Sequence, residues 1–329
     1  MKIFSPVVRL GIRKPSKLPN EIKPLLALVV LVPVLLLTAC SGDDSSTSSS
    51  PGGSSTTAKL NVVATTVQIT ALTREVGGGW IDLSGLIQPG ADPHTFEPTA
   101  SDLTKIEGAD AILRHGLGLD DWLDGTLQAG AHAQVTTVTA GITPLKIDEN
   151  GATVDDPHVW HDPDNDKIMV DNIAAALDKA DPINKPAYDA NAAAYKKKLD
   201  DTKAQVQSII NEIPPDNRKL VTNHDALGYF ARAFGLQVVG AVIPSVSTEA
   251  EPSAQETAAL LDTISREHVK AIFAESSVNP KLATTLANDA GVKIVDDLYG
   301  DSLGAPGSGA DTVDGMLVTN ARKIADALK

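Results

Sequence analysis

Residues 185–213 read KPAYDANAAAYKKKLDDTKAQVQSIINEI, and the rest of the fold is read outward from them. Past Pro186 the stretch has no Gly and no Pro. Tyr188, Ala192, Tyr195, Leu199, Val206 and Ile210 recur roughly at helical spacing, so its apolar positions share one face. A helix of this length spans roughly 40 Å. Asp181-Pro182 precedes it and Pro214-Pro215 ends it. Such a helix suits a strut between two lobes; two ordinary helices with a break are the competing reading.

On both sides of it, short apolar runs alternate with helical patterns. Upstream, strands are expected at Leu60 to Ala64, Ile81 to Ile87, Ala111 to Leu113 and Gln134 to Val138. The helices between and after them are Val67 to Val76, Thr99 to Glu107, Trp122 to Gln128 and Asp166 to Ala180. Thr99 is placed to cap its helix, with Asp102 at the capping-box position. Downstream, strands are expected at Leu220 to Thr222, Val238 to Val242, Ala271 to Phe273 and Val292 to Val295. Their helices are Tyr229 to Phe234, Ala254 to Glu267, Pro280 to Ala290 and Thr312 to Leu328. This alternation indicates parallel βα units. The expected fold is α/β: two parallel-sheet lobes, 59–165 and 215–329, joined through a helical linker at 166–214 that carries the long backbone helix. No internal sequence repeat relates the halves.

The amino terminus is basic, with Lys2, Arg9, Arg13, Lys14, Lys17 and Lys23. An apolar run from Leu25 to Leu37 follows, interrupted only by Pro33. It is shorter than the about 20 residues a membrane span needs and suits a signal peptide at 1–39. The run ends in Leu37-Thr38-Ala39-Cys40, at the chain's single cysteine. That string resembles a bacterial lipobox, which implies cleavage before Cys40 and acylation of its sulfur. Ser41 to Thr57 has almost no apolar side chains to bury, so 40–58 is expected to be a lipidated cysteine and a flexible tether. The folded body is then expected on the outer face of the bacterial cytoplasmic membrane.

The chain carries a formal charge of −14, and with the basic leader removed the remainder is −19. Such a body is a poor partner for nucleic acid, which needs Lys and Arg to neutralise phosphates. One cysteine excludes an intramolecular disulfide and any zinc site built from several thiolates. A metal site here must use imidazole and oxygen.

Four strings supply such groups: Asp92-Pro93-His94, Asp156-Pro157-His158, Asn223-His224-Asp225 and Asp301-Ser302-Leu303. Their key residues lie 64, 66 and 77 positions apart, so only folding could bring them together. Three imidazoles and one carboxylate around one point would form a coordination shell for a divalent transition metal. His94 and His224 each follow an expected strand, as does Asp301 after a short loop. Ligands of open α/β sheets bind beyond the carboxyl ends of the strands, so the site is expected in the cleft between lobes. Asp296 and Asp297 compete with Asp301 as the acid ligand. Glu275 ends an expected strand and is read either as a hydrogen-bond partner of a ligand histidine or as a structural ion pair; Glu97 and Glu249 are undecided. His132 and His268 are read as surface residues.

Longer motif strings surround these groups. They are Asp92-Pro93-His94-Thr95-Phe96-Glu97-Pro98-Thr99, Gly116-Leu117-Gly118-Leu119 with Trp122-Leu123, and Pro157-His158-Val159-Trp160 with Asp162-Pro163. His224-Asp225-Ala226 with Gly228-Tyr229-Phe230, Ser247-Thr248-Glu249-Ala250-Glu251-Pro252-Ser253 and Asp301-Ser302-Leu303-Gly304 follow. In this order, behind a lipobox, the chain resembles the zinc/manganese solute-binding lipoproteins of bacterial ABC importers. The resemblance implies two lobes on a rigid backbone helix with one metal between them, bound by His94, His158, His224 and Asp301. It also implies delivery to a membrane permease driven by a cytoplasmic ATPase, by a protein that is a monomer and not an enzyme.

In that family manganese-type members usually carry Glu at the third ligand position and zinc-type members His. His224 therefore points to Zn2+, with Mn2+ the alternative because some three-histidine members handle it. Imidazole suits zinc, whereas manganese prefers carboxylate and water. The chain departs from the family pattern at His161, commonly apolar, and at His115, commonly Asn. His161 is read as a neighbour of the site or a surface residue, and His115 as structural. The acidic stretch Ile147 to Asp156 stands where many zinc members have a His-rich loop, and it is read as a solvated loop. A secreted zinc hydrolase is the enzymatic alternative, although a catalytic zinc keeps one position open for water. A metal-containing surface adhesin is a third class.

Overall fold

The computed structural model describes residues 58–128, 133–149 and 151–329. The signal peptide, Cys40, the tether up to Thr57 and His132 lie outside the described residues. Among the described residues no helix is long and apolar enough to cross a membrane.

The first half alternates β1 (Leu60–Ala64), α1 (Val67–Gly77), β2 (Ile81–Gly85), α2 (Ala100–Glu107), β3 (Ala111–Arg114), α3 (Trp122–Gln128) and β4 (Gln134–Thr137). Its four strands pair in parallel in the order β2-β1-β3-β4. The run Leu-Asn-Val-Val-Ala makes β1 because a parallel strand is covered on both faces, and four of its five residues are buried. Thr99 caps α2 and Asp102 completes the capping box, as the sequence predicts.

An antiparallel hairpin follows, β5 (Lys146–Glu149) and β6 (Ala152–Asp155). This corrects the reading of Ile147 to Asp156 as a solvated loop. Ile147 pairs with Val154 across the hairpin, Gly151 turns it at φ +83°, and Tyr229 ties its root by donating to Asp156 O and accepting from Leu145 N, each at 2.8 Å.

Then come α4 (Pro163–Ala180) and α5 (Lys185–Asn211), the latter one unbroken helix of 27 residues. Tyr188, Ala192, Tyr195, Leu199, Thr202, Val206 and Ile210 are its buried residues, three or four positions apart, so one stripe faces the core along its whole length. That stripe packs on both halves. Asn191 donates to Val76 O of α1, Tyr195 OH donates to Asp314, and Gln207 reaches Phe234 O.

The second half runs β7 (Lys219–His224), α6 (Gly228–Phe234), β8 (Gln237–Ile243), α7 (Ala254–Arg266), β9 (Ala271–Glu275), α8 (Lys281–Ala290), β10 (Lys293–Leu298) and α9 (Val313–Leu328). Its four strands are also parallel, in the order β10-β9-β7-β8. One apolar cluster runs from Leu60 and Leu72 through Tyr195 and Leu199 to Phe230, Met316 and Ile324, so the halves share a core across the long helix. Several strands run further than the sequence suggests. β7 reaches His224 itself, β9 reaches Glu275, and β10 continues past a register irregularity between Val295 and Leu298.

Candidate metal centre

Each donor is aimed by local backbone chemistry. In both Asp-Pro-His strings the aspartate accepts from the backbone N–H of the histidine two residues on, at 2.9 Å for Asp92 and for Asp156. This is the Asx-turn geometry that Asp favours, with Pro fixing φ between the two residues. His158 is followed by a short 3₁₀ turn, and Asp162 then caps α4 through Asp164 N with Pro163 at its first position. His224 is the last residue of β7. Asp301 follows β10, and its carbonyl accepts from Gln68 Nε2 of α1 at 2.8 Å. Two donors thus come from loops of the first half and two from the strand ends of the second.

Folding brings the four together: one donor atom from each of His94, His158, His224 and Asp301 lies within 4.8 Å of all the others. Asp301 Oδ1 is 3.1 Å from His158 Nε2, while its Oδ2 is 3.1 Å from His224 Nε2 and 3.4 Å from His94 Nε2. His158, His224 and Asp301 are fully buried, and the His94 side chain is 8% exposed at the mouth.

The outer ring nitrogens decide what the inner ones can do. His158 Nδ1 is 2.8 Å from Asp156 Oδ1, and His224 Nδ1 is 2.6 Å from Glu275 Oε1. A carboxylate only accepts, so both Nδ1 atoms carry protons and both Nε2 atoms present lone pairs to the centre. Those Nε2 atoms stand 3.2 Å apart beside the Asp301 carboxylate. Two lone pairs and an anion in a buried pocket call for a cation. A divalent ion supplies it, and the donor set of three imidazole nitrogens and one carboxylate suits zinc and related first-row ions.

Without metal, protons take that role. Burial alone would lower the pKa of His158, but Asp301 and Asp156 outweigh it and raise it to about 9. Burial opposes charge on His224 too, and Glu275 with Asp301 overrides it, raising the pKa well above the ordinary histidine value. Burial would raise Asp301, yet His224 and His158 hold it well below the usual carboxylate range.

The other sequence candidates separate cleanly. Asp296 and Asp297 are exposed on β10, and Asp297 pairs with Lys323 at 2.6 Å, so neither is in the cluster. Glu275 takes the role of hydrogen-bond partner to His224. Gly300 makes room for it: a Cβ there would stand 1.8 Å from Glu275 Oε2. His161 is buried, not on the surface, and its ring nitrogens have no hydrogen-bond partner among the described residues; burial lowers its pKa to about 3. His115 is buried with Nε2 2.8 Å from Pro157 O, a contact that braces the loop carrying His158. Glu97, Glu249 and His268 are exposed, with Glu249 on the rim of the cavity beside His94. Sequence reasoning missed Asp156 as the partner of the His158 ring. The repeated Asp-Pro-His string was the signal, since its aspartate is placed to fold back on the histidine.

Known proteins resemble the chain over most of its length. The family described as "Zinc-uptake complex component A periplasmic" matches residues 62–327. The manganese ABC transporter substrate-binding lipoprotein PsaA of Streptococcus mitis is 31% identical over 278 residues, covering 82% of this chain and 89% of the relative. The manganese-binding lipoprotein MntA of Bacillus subtilis is 33% identical over 278 residues, covering 82% and 90%. Among solved structures, the periplasmic zinc-binding protein TroA from Treponema pallidum aligns with a TM-score of 0.76 at 31% identity, covering 82% of this chain and 99% of that one. The chain therefore belongs to the zinc-uptake complex component A family, the metal solute-binding lipoproteins of ABC importers.

Proposed function

We propose that the protein captures a divalent transition-metal ion outside the cytoplasmic membrane and delivers it to an ABC permease and its ATPase, with manganese as well as zinc among its cargo. The convergence of His94, His158, His224 and Asp301 on one buried point carries the reading. Manganese enters because the relatives PsaA and MntA are named for it. The zinc-dedicated reading keeps one specific support, His224 at the third donor position.

Affinity alone does not decide between them. Zinc binds nitrogen and oxygen sites more tightly than manganese whatever the protein's role, so cargo is set by geometry and supply. Anchoring through acylated Cys40 would keep the carrier beside its permease. Family membership and a fourth donor supplied by protein set aside the hydrolase reading, in which that position is left to water.

The test is the metal content of protein purified from Lys59 onward, with zinc–manganese competition and growth of a deletion strain on limiting zinc or limiting manganese. Mixed cargo predicts that both ions bind and that both limitations slow growth. Rescue by zinc alone would establish the dedicated zinc importer. Unchanged tight binding of both ions after His224→Ala would remove that residue from the shell.

A further inference from the structure

Three of the four donors are fixed by buried partners. Asp156 orients the His158 ring, Glu275 the His224 ring, and Gln68 holds the backbone of Asp301. His94 is held differently, through its backbone N–H on Asp92 Oδ1. The same carboxylate reaches across the cleft with its other oxygen, which accepts from Thr248 Oγ1 at 2.6 Å. Two residues earlier in the chain, Val246 N donates to Glu149 Oε1 at 2.6 Å, and Glu149 ends β5 at the turn of the hairpin.

One short segment after β8 is therefore gripped twice by carboxylates of the first half. Asp92 belongs to the turn that presents His94. Glu149 belongs to the hairpin whose Lys146 and Asp155 line the cavity beside His94. We propose that Val246–Thr248 is a clasp that positions His94 and sets how fast the metal leaves. Thr248 holds Asp92, Asp92 holds His94, and Glu149 holds the hairpin across the mouth. The clasp residues are only part-buried, so water can replace these contacts, unlike those of Asp156 and Glu275. With one continuous helix joining the halves, an exit path opens most easily by letting go of the loop that carries His94. Thr248 is thus a positioning residue, acting through Asp92. The inference rests on His94 being a ligand.

The experiment is zinc release from the loaded full chain into excess chromogenic chelator, followed by stopped flow. Thr248→Val keeps the shape and removes the hydroxyl; Thr248→Ser keeps the hydroxyl. A hydrogen bond to a charged group is worth enough for about a tenfold change. Thr248→Val should release zinc about tenfold faster with the association rate unchanged, Thr248→Ser should stay near wild type, and Glu149→Ala should also release faster. A wild-type release rate in Thr248→Val, or equal acceleration in Thr248→Ser, overturns the clasp. An unchanged rate in Glu149→Ala overturns the hairpin's part in it. A wild-type chain that binds neither zinc nor manganese would instead sink the metal-site reading on which the clasp depends.

Discussion

Replacing Glu275 by Gln isolates what a buried carboxylate does for a histidine it never shares a metal with. Glu275 Oε1 lies 2.6 Å from His224 Nδ1, with the two side chains 2% and 0% exposed. Gln keeps the size and an acceptor oxygen but removes the charge. A hydrogen bond to a charged group contributes about 1.5–3 kcal/mol and a neutral one about 0.5–1.5, so the ring is held about 1–1.5 kcal/mol less firmly. The charge also makes Nε2 a better donor, and partners of this kind commonly change metal affinity by about 10–100-fold. One effect works the other way. Burial disfavours a charged His224, but Glu275 and Asp301 raise its pKa well above the ordinary value, so Glu275 also helps a proton compete with the metal. The expected loss is therefore near the lower end, about tenfold, at neutral pH. Chelator competition with Zn2+ and Mn2+ measures it, alongside thermal melting of the metal-free protein. Affinity within twofold of wild type together with a lowered melting temperature would refute the reasoning and leave Glu275 as a structural ion pair.

Four further outcomes follow from burial and charge. Metal affinity should rise with pH across the neutral range, because the metal-free His158 carries a proton up to about pH 9 and the pKa of His224 is raised as well; calorimetry in buffers of different ionisation heat should detect proton release, and a flat profile would contradict it. The raised His158 pKa also means that its contribution to metal-free stability is full below 6.5 and is lost as pH rises through about 9. Asp166 is buried with neither oxygen hydrogen-bonded among the described residues, and burial, reinforced by Asp162 and Asp314, raises its pKa well above 3.8. The unfolded chain ionises first, so wild type loses stability as pH climbs above 3.8. Asp166→Asn should melt higher than wild type at neutral pH, with the gain vanishing in acid; equal melting at neutral pH would refute the assignment. Gly300→Ala places a Cβ 1.8 Å from Glu275 Oε2, so it should cost about 1–3 kcal/mol of stability and weaken metal binding as Glu275→Gln does; a stable variant with wild-type affinity would show that Glu275 has another place to sit.

Helices and strand cores were legible because they repeat. Period and punctuation place α5 within two residues at its carboxyl end, and the Thr99 and Asp102 pair places the start of α2. What was not legible lies where tertiary contact overrides local pattern. The acidic stretch Ile147 to Asp156 reads as solvent-loving, yet it lies in a hairpin tied to the second half by Glu149 and Tyr229. Asp296 and Asp297 precede Asp301 closely, and only the continuation of β10 turns them outward. The four converging groups could be named from motif strings and family resemblance. Their partners are less legible: Asp156 is sequence-local but sits in what reads as an acidic loop, and Glu275, 51 residues from the histidine it holds, reads equally as that histidine's partner or as a structural ion pair.

The division of donors, two from each half, has a consequence for the carrier itself. An ion held by His94 and Asp301 ties together points more than 200 residues apart in the chain, so the cargo acts as a reversible cross-link. An ion that binds only the folded chain stabilises it by about 1.4 kcal/mol for each tenfold by which its concentration exceeds the dissociation constant. Loaded and empty forms should therefore differ in resistance to proteolysis as well as in contents. A cell short of metal would hold the protein in the more fragile form, and its lifetime would itself register supply.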